Sequence, residues 1–390
     1  MLASTLKIAF LRSLVLALGT SALGAAAPPA RAQSPEPPRT VEVTDLAGRT
    51  VRVKAGATRV ILGEGRLLYG TGLLEKDAPF RRVVGWADDM IVFDPGTYRR
   101  YLARFPEAAS VPRFGSAFSG DFSAEKAIAL NPDVVLLPLS GLFKARETRL
   151  LETLEKAGVP AVFLDLREKP LENTVPSIRL LGRIFGRETA ARDFIAFYEA
   201  ESRRVTERVA RKPDADRTLV IMERAMGYDP AKCCLTFGNA NLGAVLQAAG
   251  GRNWGSSRFP GLGGDINPET LFAENPPVII GTGADWAEAT PGSESVPFGY
   301  ETTQEAVDAR LKALANRRGW PQLRAVREKR LYAVYHQFYT SPGHVVALQL
   351  FAKWLYPDEF RDLDPEATWR AYHERFSPIP LTGVFWTQLR

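Results

Sequence analysis

The sequence predicts an α/β protein of two similar lobes, each with a mainly parallel sheet, joined by a single long α-helix. Three observations predict it. A unit of helix, Asn-Pro and apolar strand occurs twice, as FSAEKAIALNPDVVLL from Phe122 to Leu137 and as INPETLFAENPPVIIG from Ile266 to Gly281. Around each copy, short apolar strands alternate with helical segments, the pattern that builds a parallel sheet covered by helices. Between the copies, from Leu171 to Arg211, lies a stretch with helical periodicity and no strand signal.

The two copies align without gaps, matching Glu125 with Glu269, Ala129 with Ala273, Asn131 with Asn275, Pro132 with Pro276 and Val134 with Val278. In each, Ser123 or Asn267 caps a short helix through its side-chain oxygen. Glu125 or Glu269 sits in the first turn, where the helix dipole favours an anion, and Asn-Pro stops the helix. The apolar runs that follow, VVLL and VII, suit strands buried on both faces of a parallel sheet.

Residues 1–32 read as a secretory signal peptide: Lys7 and Arg12 near the head, an apolar run from Ser13 to Ala26, and Ala30-Arg31-Ala32 before the cleavage point. The run is shorter than the roughly 20 residues that span a bilayer. Cleavage after Ala32 leaves no Cys at the new N-terminus, so a soluble periplasmic protein is expected. Residues 33–40 form a Pro-rich disordered stub. The first lobe then occupies 41–168, the helical linker 169–213 and the second lobe 214–390.

Lobe one opens with a hairpin, VEVTDLAGRTVRV, alternating about Ala47-Gly48. RVIL, a helix over Gly65 to Leu74, VVGW, a helix over Thr97 to Ala103, the first repeat unit, a helix over Ala145 to Ala157 and AVFLD complete it. In the linker, the part after Gly186 puts Ala190, Phe194, Phe197, Tyr198, Val205 and Val209 near one face. Some 24 residues of helix there would reach about 36 Å. Lobe two runs through TLVIMER, a helix over Asn239 to Ala249, the second repeat unit, a helix over Thr303 to Ala315, RLYAVY, a helix over His344 to Tyr356 and a last helix over Glu366 to Phe376.

Net charge is +6, but the positive residues are scattered among acids, which leaves no nucleic-acid footprint. Cys233 and Cys234 are the only cysteines, so neither a disulfide framework nor a Cys-based metal cluster is available. They read as two free thiols in a turn after Pro230 or as a vicinal disulfide, the latter strained because adjacent Cα atoms lie about 3.8 Å apart.

Several motifs, in this order, resemble the periplasmic substrate-binding proteins of ABC importers for ferric siderophores, haem and cobalamin. VTDLAGRTVRV resembles the family's opening hairpin, EKAIALNPDVVLL its first-lobe signature and IRLLGRIFGRETAARDFIAFY its approach to the linking helix. LGAVLQAAGGRNW, INPETLFAENPPVII, WPQLRAVREKRLYAV and LFAKWLYPDEF resemble second-lobe signatures. The resemblance implies a monomeric binding protein that carries a ferric chelate in an interlobe cleft, with no resident cofactor. It also implies a permease dimer as partner, docked through Glu125 and Glu269. One exposed carboxylate per lobe would suit two related basic sockets; the alternative is that both are simply first-turn helix acids.

Ligands of such sheets bind at loops on the carboxyl ends of the strands. In lobe one these offer Glu64, Arg66, Tyr69 and Trp86, and the stretch Phe114 to Phe118. In lobe two they offer Arg224, Met226, Tyr228, Phe237, Asn239, Trp286, His336 and Tyr339. Aromatic rings with a few arginines suit a large, flat, anionic metal chelate. His336 is the histidine expected to face the cleft, whereas His344 and His373 read as structural. A bare metal site would gather several His and carboxylates, so chelated metal is favoured over naked metal. Haem, cobalamin, an oxyanion such as molybdate and a small nickel chelate are the other cargoes considered. No Gly-x-Ser-x-Gly elbow, phosphate loop or His-Glu-x-x-His run supports an enzyme.

Overall fold

The computed structural model describes residues 39–231 and 233–390. The expected signal peptide and nearly all of the expected Pro-rich stub lie outside the described residues.

Lobe one begins with an antiparallel hairpin of β1 (Thr40–Thr44) and β2 (Thr50–Lys54). Asp45 closes its turn by accepting from the backbone of Ala47 and Arg49. Five parallel strands follow: β3 (Val60–Leu62), β4 (Val83–Ala87), β5 (Arg113–Phe114), β6 (Val134–Pro138) and β7 (Ala161–Leu164). They lie in the order β5-β4-β3-β6-β7. The residues of β3, β6 and β7 are buried throughout, as their unbroken apolar runs require when helices cover both faces. The helix expected over 145–157 is two pieces, Leu142–Glu147 and Leu150–Lys156, separated where Arg149 adopts a left-handed φ of 57°.

Between the sheets stand two helices. Pro170–Phe185 packs on lobe one and ends at Gly186, whose φ of 64° gives the left-handed cap that a glycine tolerates best. Glu188–Val209 then runs 22 residues, about 33 Å. It lies against Pro170–Phe185 and Gly72–Leu74 on one side and against His344–Leu355 of lobe two on the other. Phe194, at its first buried turn, meets Tyr372 and Phe376 edge-on, so the linking helix shares a core with the last helix of the chain.

Lobe two has a sheet in the order β10-β8-β12-β13-β14, from β8 (Leu219–Glu223), β10 (Arg252–Asn253), β12 (Val278–Gly283), β13 (Leu331–Tyr335) and β14 (Trp386–Gln388). All pair in parallel except β14, which is antiparallel to β13. A separate ribbon joins β9 (Leu235–Phe237) to β11 (Gly263–Asp265). The loop leading into β9 carries Cys233 and Cys234, which are joined to each other as the vicinal disulfide rather than left as free thiols.

The repeated units are homologous in place as well as in sequence. Helix Ala124–Ala129 feeds β6 and helix Pro268–Glu274 feeds β12, and each of these strands lies inside its sheet. Asn131 and Asn275 both take positive φ, 45° and 39°, a conformation that asparagine enters more readily than other side-chain-bearing residues.

Where the lobes meet, Asp94 is buried and both Tyr69 of lobe one and Tyr335 of lobe two donate to its Oδ2. Thr97 Oγ1 lies 3.0 Å from the Tyr335 hydroxyl. A cavity of about 30 Å³ beside this cluster is lined by Tyr69, Tyr101, Tyr300, Tyr335 and Tyr372 among others. Burial raises the pKa of Asp94 despite the hydrogen bonds from Thr97, Tyr335 and Tyr69.

Candidate functional site

The carboxyl ends of the parallel strands converge where the two lobes face each other. In lobe one the turn after β3 is built for close approach. A Cβ on Gly65 would stand 2.3 Å from the carbonyl oxygen of Ala87, so glycine is required for the Gly65 amide to reach the Asp89 carboxylate. Arg66 follows and is 3% exposed. Its Nε donates to Asp89 at 2.7 Å, Nη2 to Glu64 at 2.9 Å, and Nη1 to Gln337 at 3.3 Å and to the Tyr339 hydroxyl. Burial works against its charge, but Tyr339, Glu64 and Asp89 outweigh it and hold its pKa well above the ordinary value. Arg167, just past β7, shares Glu64.

From lobe two, Asn241 closes the other side. Its Nδ2 donates to the carbonyls of Arg167 at 3.0 Å and Tyr339 at 2.9 Å. Trp286 Nε1 donates to the Phe93 carbonyl at 2.9 Å, and Gln337 donates to the same oxygen. The floor of the cleft is therefore a network spanning both lobes, in which the ionic groups are neutralised and the hydrogen bonds largely complete.

Above that floor two cations are incompletely paired. Among the described residues, Arg224, half-buried at the end of β8, makes no side-chain hydrogen bond, and its Nε is buried without a partner. Burial lowers its pKa, with Tyr339 and Asp265 acting in the opposite direction. Arg167 Nε is likewise buried and unpartnered. Its guanidinium stacks over Phe118, with Cζ 5.1 Å from the ring centroid, and over Tyr339 at 5.2 Å. A buried cationic donor without an acceptor is costly, and among the described residues neither Nε has one.

His336 stands beside them, its Nδ1 2.8 Å from Thr282 Oγ1 and its ring against Trp286 at 5.0 Å and Tyr339 at 4.6 Å. Burial and the charges of Arg224, Arg66 and Arg167 press its pKa well below 6.5, so it is a neutral imidazole at neutral pH. Tyr228 meets Trp286 edge-on at 5.0 Å and accepts from Thr290 at 2.9 Å.

Of the residues singled out in the sequence, Arg224, Tyr228, Trp286, His336 and Tyr339 lie together around this upper cleft. Glu64 and Arg66 form its ionic floor, where Arg66 has each guanidinium nitrogen engaged. Tyr69 is turned to Asp94, in the interlobe cluster. Trp86 requires correction. It is 1% exposed, packed between Phe80 at 5.1 Å and Tyr98 at 5.9 Å, because it is a core residue within β4 and precedes the loop that reaches the cleft. Arg167, Phe93 and Phe143 were not singled out. Phe93 and Phe143 lie on the helices that follow β4 and β6, whereas Arg167 stands in the loop after β7, where the rule that found Arg66 would have found it.

Glu125 and Glu269 are both exposed, in the first turns of their helices, and neither has a salt bridge among the described residues. Ser123 accepts from Lys126 N at 3.2 Å and Asn267 from Glu269 N at 2.8 Å. Among the described residues, one trio of potential metal ligands converges: Glu223, Cys233 and Cys234. Its sulfurs are bonded to each other, and Arg317 pairs with both oxygens of Glu223 at 2.7 and 2.6 Å.

Two α/β lobes joined by a helix, with a polar and aromatic cleft at the strand ends, define a two-lobed ligand-binding protein. The model of a periplasmic binding protein family matches residues 82–337, and the chain belongs to that family. A TroA-like periplasmic binding protein, FepB from Veillonella parvula, is 29% identical with a TM-score of 0.81, covering 90% of this chain and 100% of its own. The molybdate periplasmic binding protein MolA of Haemophilus influenzae is 17% identical (TM-score 0.65, covering 88% and 99%). A periplasmic heme binding protein from Pseudomonas aeruginosa is 20% identical (TM-score 0.52, covering 77% and 94%). These last two share the fold. No curated protein matches the chain. No helix among the described residues is long and apolar enough to cross a membrane.

Proposed function

We propose that this protein is the periplasmic solute-binding component of an ABC importer and carries an anionic metal chelate, a ferric siderophore in the first instance, between its lobes. The observation that carries the reading is the half-buried guanidinium of Arg224, which has no side-chain hydrogen bond among the described residues, beside Arg167, whose side chain is paired with Glu64 alone, among aromatic rings. Charge-assisted hydrogen bonds to chelate oxygens would satisfy them, and the rings would cover its faces. The site needs no resident cofactor, and the expected form is a monomer. Delivery would use Glu125 and Glu269, one exposed carboxylate per lobe, against two basic sockets of a permease dimer.

Titration with ferric siderophores, ferric citrate, haem, cobalamin and molybdate, followed through tryptophan fluorescence, tests the cargo. A ferric chelate should bind one to one; saturable binding of molybdate with no response to any chelate would overturn the reading. The Glu125→Ala, Glu269→Ala double variant tests the partner. It should bind cargo as before yet fail in uptake, with each single variant less affected than the pair. Uptake at the normal rate would reduce both glutamates to helix-end acids, worth at most about 1 kcal/mol of stability each.

A further inference from the structure

The exposed large hydrophobic residues are unevenly placed. Among the described residues there are five, and four of them, Val92, Phe93, Phe118 and Phe143, belong to lobe one and follow the carboxyl ends of β4, β5 and β6. Phe143 is the most open, at 75%, and Phe118 is 46% exposed. The fifth, Phe272, lies on the lobe-two helix Pro268–Glu274 and not at a strand's carboxyl end. Single exposed apolar side chains are ordinary, but four in the segments that follow the strands of one sheet, Val92 and Phe93 on helix Asp89–Phe93, Phe143 on helix Leu142–Glu147 and Phe118 in a loop, are a concentration of the type that marks a contact surface.

Two of these rings are coupled to the cations of the cleft. Arg66 Cζ lies 4.9 Å from the Phe93 centroid and Arg167 Cζ 5.1 Å from that of Phe118. Gly141, next to the helix that carries Phe143, packs against the backbone at Ala117 and Phe118: a Cβ there would meet the Ala117 carbonyl oxygen at 3.1 Å. The Phe118 loop and the start of the Phe143 helix are thus neighbours. A small oxyanion or an aliphatic anion would answer the arginines and leave these rings in water.

We infer that Phe118 and Phe143, continued by Val92 and Phe93, form an apolar wall that selects among anionic metal chelates for those with an aryl face. The inference rests on the chelate reading above and deepens it. The anionic oxygens lie toward Arg167 and Arg224, and the aryl periphery lies on lobe one. Ferric tris-catecholate and haem both present that combination of charge and ring, whereas ferric citrate is anionic without a ring and a ferric hydroxamate has neither feature in full.

The test uses the mature protein and measures Kd for ferric tris-catecholate, haem, ferric citrate and ferric desferrioxamine B. At least one aryl probe should bind tenfold or more tighter than ferric citrate, and which of the two does so distinguishes siderophore from haem. In the Phe118→Ala, Phe143→Ala variant that ratio should shrink at least fivefold; both rings are exposed, so the fold is expected to stand. If chelates bind without preference for aryl probes, or the ratio survives the double substitution, the wall is overturned while the chelate reading remains. If the ratio survives and uptake fails instead, the patch is a permease contact and the inference is wrong. If no chelate binds, both readings fall together.

Discussion

The two lobes share a repeated scaffold but offer the cleft different chemistry. Lobe one contributes a buried ionic cluster of Glu64, Arg66, Asp89 and Arg167, with phenylalanines standing open above it. Lobe two contributes aromatic rings held by hydrogen bonds and packing, Tyr228, Trp286 and His336, and an arginine, Arg224, without a salt bridge among the described residues. Duplicated elements therefore fix where loops emerge, and the loops decide what they bind. The same contrast applies to the arginines themselves: Arg66 has each guanidinium nitrogen hydrogen-bonded, whereas Arg224 Nε has no acceptor among the described residues.

That contrast has measurable consequences. The largest is in stability. Arg66→Ala leaves Glu64 and Asp89 buried with a partner removed, and should cost about 3–5 kcal/mol in denaturant unfolding. Arg224→Ala should change it by no more than about 0.5 kcal/mol. Similar losses in the two variants would erase the distinction between lobes.

Acid should act next, and mainly on lobe two. Burial pushes His344 and His373 down to about 4, so their folded forms resist protonation. The stability they confer is present above their ordinary value of 6.5 and is lost as pH falls from there toward about 4, by up to about 3 kcal/mol each. Asp94, with its pKa raised, has the opposite sign, its contribution being full below the ordinary carboxyl value and declining as pH rises. Unfolding curves between pH 4 and 7 should flatten in His344→Gln, and a variant as acid-sensitive as the parent would refute the assignment.

In affinity, Arg224→Ala should weaken an anionic chelate by about 1.5–3 kcal/mol, the usual worth of a charge-assisted hydrogen bond. Calorimetry decides it, and an unchanged Kd would move Arg224 out of the site. The smallest effect is in shape. A helix between lobes resists wide closure, so the radius of gyration from scattering should be nearly the same with and without chelate. A large decrease on binding would show that the lobes swing.

Much of the fold was legible because periodic apolar runs and Asn-Pro stops are local signals. The repeat units, the linking helix and the strands beginning at Val60, Val83, Ala161, Leu219 and Leu331 each carry their own pattern. The ribbon of β9 and β11 and the antiparallel β14 do not: they are three residues long, and β11 contains Gly263 and Gly264. Their pairing comes from tertiary contact. The break at Arg149 was hidden for a related reason, since nothing in that residue type signals a left-handed φ.

The site was legible by rule but not by role. The rule points to loops after strands, yet sequence alone does not separate a side chain inside a strand, such as Trp86, from one beyond its end. Nor could it show that Arg66 has its hydrogen bonds completed by Glu64, Asp89 and Gln337 while Arg224 lacks a partner. Glu64 is a near neighbour in the chain, but Asp89 and Gln337 lie 23 and 271 residues from Arg66, so their arrival is a tertiary fact.

The Asp94 cluster bears on how such a carrier meets its transporter. One carboxylate accepts from a hydroxyl of each lobe, Tyr69 and Tyr335, a tie that would hold the angle between the two halves in the empty and the filled carrier. The span from Glu125 to Glu269 would then be a constant of the molecule. A permease with two sockets at that spacing would accept laden and empty carriers alike, and at high carrier abundance the empty ones would become competitive inhibitors of import.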